Sequence, residues 1–114
     1  MKRYCLALDL KNDPELIAEY EHYHRRVWPE VQKSILDSGI QHLSLYRVHD
    51  RLVMILDTTD DFSFEAKAAS DAANGVVQEW ETLMWKFQRP MPWAEPGEKW
   101  QLMEKICDIR QIPA

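Results

Sequence analysis

Residues Tyr4 to Leu10 alternate, with Tyr4, Leu6 and Leu8 on one face and Cys5, Ala7 and Asp9 on the other, and this strand opens a chain whose strand and helix signals follow one another in a restrictive order. Asp13-Pro14-Glu15 supplies an N-cap, a first-turn proline and an early acid, which predicts a helix from Pro14 to about Arg26. Pro29 ends or kinks it and restricts Trp28 before it. A second helical piece fits Pro29 to Asp37, with Gly39 closing it. "QHLSLYRV" then alternates again, setting Leu43 and Leu45 opposite His42, Ser44 and Tyr46. "LVMILDT" is a nearly continuous apolar strand, expected to be covered on both faces. Asp60 or Asp61 is expected to cap a helix reaching about Ala73, with Asn74-Gly75 as the break. Val77, Trp80, Met84 and Phe87 recur at helical spacing and predict a helix over Val76 to Phe87. "QRPMPWAEPGEKW" reads as a loop, a lid or a partner-facing segment, and "LMEKICDI" as the last strand.

The order β-α-β-β-α-β predicts an α+β, ferredoxin-like single domain over 1–114, a four-stranded antiparallel sheet with helices on one face. The other face of the sheet needs cover, and a second subunit is the simplest source of it. First and last strands are neighbours in this topology. Cys5 and Cys107 are therefore expected close together, as buried thiols rather than a redox pair. Two cysteines make no disulfide framework, and no secretory or membrane-spanning run is visible, so the chain reads as cytoplasmic. Fourteen basic against nineteen acidic side chains argue against binding nucleic acid through phosphate neutralisation.

The chemistry concentrates in "EYEHYHRRVWPE", Glu19 to Glu30. On a helix Tyr20 and His24 share a face. Either their polar tips hydrogen-bond within the core, or His24 titrates near neutrality beside a hydroxyl that orients a substrate or relays a proton. Glu21-x-x-His24 is half of a carboxylate metal site, but no second half, no His-Glu-x-x-His and no zinc-type cysteine spacing accompany it, so no metal is expected. No nucleophile motif is present, and three glycines cannot build a phosphate loop. Some of the five tryptophans fill a core; Trp93 and Trp100, in and beside the proline-rich loop, are odd places for that, and flat aromatic faces suit sugar rings.

"EYEHYHRRVWPE", a strand reaching Tyr46, "VQEW" and the closing "LMEKICDI" together resemble the L-rhamnose mutarotase family over nearly the whole chain, most sharply in Tyr20-x-x-x-His24-x-x-x-Trp28-Pro29-Glu30. The resemblance implies a dimeric α+β barrel that interconverts the α and β anomers of a 6-deoxy-L-sugar without a cofactor, L-rhamnose first and L-fucose next. It implies His24 as the catalytic proton donor, with Tyr20 and Trp80 binding substrate. Trp28, Tyr46 and His42 are further candidates for the sugar site, and His42, Tyr46 or a water for the second proton carrier. Pro29 is expected to be architectural. Leu43 and Glu81 stand where the family carries aromatics, which leaves the sugar open. An oxygenase-like enzyme or a non-catalytic sugar sensor on the same fold are the alternatives.

Overall fold

The computed structural model describes residues 1–111. Strand β1 (Lys2–Leu10) leads into helices α1 (Pro14–His24) and α2 (Pro29–Asp37); β2 (Ile40–Val48) and β3 (Arg51–Thr58) form a hairpin; α3 (Phe64–Ala72) and α4 (Gly75–Trp85) follow; β4 (Gln88–Arg89) and β5 (Gln101–Leu102) are short. All pairings are antiparallel, in the order β2-β3-β1-β4, with β5 also on β1. This is the ferredoxin-like arrangement expected, with the fourth strand split into two pieces.

Local chemistry explains the boundaries. The Asp13 carboxylate accepts from the Glu15 and Leu16 amides and starts α1. Trp28 sits in extended geometry before Pro29, so the chain breaks between α1 and α2. Gly39 ends the α2 connection at φ +99°, where a Cβ would lie 2.8 Å from Thr59 Oγ1. Ser63, not Asp60 or Asp61, caps α3 through the Ala66 amide. Asp61 instead accepts from Thr59 Oγ1, and Asp60 pairs with the chain's amino terminus.

One face of the sheet packs on the helices. Leu6, Leu8 and Leu10 of β1 and Leu52 and Leu56 of β3 are buried there, against Tyr20, Val31, Val77, Trp80, Met84 and Phe87. The opposite face carries Ala7, Val53 and Ile55 between two charged clusters, Arg3 with Asp57 and Arg51 with Asp9. Those guanidiniums hold both carboxyls below the usual carboxylate range. Val53 and Ile55 are half-buried within one chain, so β3 is not covered on both faces as its composition suggests.

Two expectations about the C-terminal end are corrected. The last strand stops at Leu102; beyond it the Met103 amide still donates to the Cys5 carbonyl, and the chain then runs on without regular structure through residue 111. Cys107 therefore lies past the paired segment and is exposed, while Cys5 is half-buried. No helix among the described residues is long and apolar enough to cross a membrane.

Candidate active site

A cavity of about 450 Å³ opens between the helices and the inner face of the sheet. Its walls are mostly apolar; Tyr20 and His24 of α1, Glu81 of α4 and Gln88 of β4 bring polar groups to it, and Ser34 of α2 with Lys67 and Asp71 of α3 form a hydrogen-bonded polar cluster on its lining.

The one-turn spacing of Tyr20 and His24 does more than align two side chains. The His24 Nδ1–H donates to the Tyr20 carbonyl at 2.8 Å. A carbonyl can only accept, so this bond places the proton on Nδ1 and leaves Nε2 as the free basic nitrogen. Desolvation pushes the His24 pKa below its ordinary value, with the bond to Tyr20 partly opposing. At neutral pH the ring is therefore a neutral base. Tyr20 is buried, and burial pushes its hydroxyl up to about 12, against the Gln88 hydrogen bond that lowers it. Its phenol stays protonated, a hydrogen-bond donor rather than an anion. The two rings lie 4.2 Å apart.

Trp80 reaches the same wall from α4, 5.5 Å from the His24 ring and nearly edge-on to it. Glu81 beside it pairs with Lys99, whose ammonium lies over the Trp85 ring. This ion pair ties α4 to the proline-rich loop. Trp100, at the loop's end, lines the cavity, whereas Trp93 is exposed and donates to Gln101 Oε1.

Three sequence candidates fall outside the cavity. Trp28 packs behind Trp80, with centroids 5.1 Å apart, and supports the wall without lining it. Tyr46 and His42 sit on the far side of the sheet, because β2 alternates and it is Leu43 and Leu45 that face inward. Tyr46 is exposed there, and His42 lies 3.8 Å from Asp57. Glu21 is engaged by Arg47. Gln88 is a cavity residue that sequence reasoning passes over, since a lone glutamine after a helix belongs to no motif; Ser34, Lys67 and Asp71 are others.

A family model described as L-rhamnose mutarotase matches residues 3–109. An L-fucose mutarotase of Xanthomonas campestris is 48% identical over 113 residues, covering 97% of this chain and 90% of that protein. An L-rhamnose mutarotase of Phocaeicola vulgatus is 34% identical over 80 residues, covering 70% and 73%. The crystal structure of an L-rhamnose mutarotase from Formosa agariphila superposes with a TM-score of 0.70 at 18% identity, covering 96% of this chain and all of that one, a likeness of fold. A family match over residues 3–109, almost the entire length, places this chain in the L-rhamnose mutarotase family.

Proposed function

We propose that this chain is a cofactor-independent isomerase that interconverts the α and β anomers of a 6-deoxy-L-hexose, with L-fucose ahead of L-rhamnose. The observation that carries it is the pinned imidazole: a neutral His24 with Nε2 free, on the wall of a sugar-sized apolar cavity flanked by an indole and a phenol. The order of sugars follows the 48% identical relative, and Leu43 and Glu81 in place of aromatics fit a departure from rhamnose.

Mutarotation breaks the C1–O5 bond, turns the C1 carbonyl and closes the ring again. The proton on O1 must leave, and O5 takes the bonding pair and a proton. O1 and O5 are both attached to C1, so one nitrogen reaches either. His24 Nε2 takes the O1 proton and the resulting imidazolium returns it to O5; closure on the other carbonyl face reverses these steps. The Tyr20 hydroxyl donates to a sugar oxygen, and Trp80 presents apolar surface to the ring. The reaction already runs in water, so a proton shuttle is enough and no nucleophile is required.

A panel of freshly dissolved L-fucose, L-rhamnose, other deoxyhexoses and pentoses, followed by exchange NMR between α and β signals, tests this reading. The protein should accelerate exchange of 6-deoxy-L-hexoses, L-fucose most. Absence of acceleration for every sugar would leave a binding protein; L-rhamnose leading would reverse the order of substrates.

A second copy of the chain is proposed to cover the outer sheet face, completing a barrel of two sheets. Ala7, Val53 and Ile55 form its apolar centre, Tyr46 and Val48 are exposed beside them, and the charged clusters form its rim. Sedimentation should give twice the 13.5 kDa of one chain, and Ile55→Asp should yield monomers. A wild-type monomer would remove this assembly.

A further inference from the structure

Gln88 is 4% exposed, it lines the cavity, and its Oε1 is fully buried with no hydrogen-bond partner. In β4 it pairs with Leu10, so it points to the helix side of the sheet, toward the cavity. Buried amide oxygens nearly always find a donor, from protein, water or ligand, and this one has no protein donor and lies beside the cavity, where a bound ligand can supply it. The other end of the amide is committed: Nε2 donates to the Tyr20 hydroxyl at 3.4 Å. That hydroxyl, having accepted from Gln88, keeps its own proton to donate.

We propose that Gln88 is a sugar-binding and specificity-determining residue, its Oε1 accepting one sugar hydroxyl while its Nε2 aims the Tyr20 hydroxyl at a neighbouring sugar oxygen. The pair presents one acceptor and one donor side by side, the complement of two adjacent hydroxyls on a pyranose. Such a fork is sensitive to configuration, because inverting one carbon of a vicinal diol moves its oxygen away from the amide. L-Fucose and L-rhamnose differ in configuration at C2 and C4, so a fork of this kind can tell them apart. A site built to hydrogen-bond a hydroxyl rejects a ligand lacking it more strongly than an apolar pocket can. This inference rests on the mutarotase reading.

Calorimetric affinity and exchange rate are to be measured for wild type, Gln88→Met and Gln88→Glu against the parent sugar and its monodeoxy analogues. Gln88→Met keeps length and apolar bulk. It should weaken the parent sugar about tenfold and leave one particular monodeoxy analogue nearly unchanged, because that analogue never made the bond. Gln88→Glu keeps an acceptor oxygen and should restore discrimination among the analogues. An equal loss across every analogue, or no loss, would overturn the contact, as would a Glu variant indistinguishable from Met. Failure of the mutarotase reading itself would show separately, as a wild type that accelerates no exchange.

Discussion

His24→Asn should lower catalysed anomer exchange by about 10²–10⁴-fold, the range that general acid–base help contributes, and leave only the reaction in water. The asparagine amide can still donate back to the Tyr20 carbonyl one turn earlier, so α1 and its melting behaviour should be nearly unchanged. What disappears is Nε2. His22, two residues away and exposed, provides the control: His22→Asn should leave exchange intact. An undiminished rate in His24→Asn would remove the imidazole from the mechanism. The pH dependence carries the same argument with a definite sign. The active form is the neutral ring, and desolvation holds the His24 pKa below its ordinary 6.5. The rate should fall as the ring becomes protonated, with the midpoint of that fall below pH 6.5. Between the folded pKa and 6.5 the unfolded chain binds more protons, so this group also costs stability as pH falls through that window. A rate that already halves above pH 7 would contradict a neutral, desolvated base.

The elements with their own punctuation were legible in the sequence. Asp13-Pro14 and Trp28-Pro29 mark helix starts set by adjacent residues alone, the first through the Asp13 cap and the second through Pro29 at the first turn, and both helices begin there. The strand alternation is equally plain, and it fixes which side chains share a face. Once Leu43 and Leu45 face inward, His42 and Tyr46 must face outward. Their chemistry suits a sugar, but their position on the strand keeps them off the cavity. The cap of α3 was harder: Asp60, Asp61 and Ser63 are all competent, and the choice depends on Thr59 and the chain's amino terminus engaging the two carboxylates. "LMEKICDI" has a strand's composition, yet it pairs with β1 only at Leu102, with one further bond from the Met103 amide to the Cys5 carbonyl. The Gln88–Tyr20 pair joins residues 68 apart in sequence, and no local pattern reports such a meeting.

Phe87→Ala should cost about 3–5 kcal/mol of stability, the largest structural effect expected from a single truncation here. Phe87 is fully buried, and its ring meets Tyr20 and Tyr23, each with centroids 5.9 Å away. Its carbonyl accepts from Lys11 and its amide donates to Met84, so the backbone is held from both sides and cannot easily collapse into the void. Domains of this size have roughly 5–15 kcal/mol in total, so the variant should sit near the edge of folding, with melting lowered by roughly 10–25 °C. The same ring supports the site. Tyr20 leans on it, and Gln88 follows it in the chain. At a temperature low enough to keep the variant folded, exchange per folded molecule should therefore fall too, and Phe87→Leu, which refills most of the volume, should recover much of both losses. A melting shift below about 5 °C would mean that α1 and α4 close over the gap. A large shift with full exchange activity in the folded fraction would separate the core from the site, and would show that Gln88 and the backbone bond from His24 hold Tyr20 without help from the ring behind it.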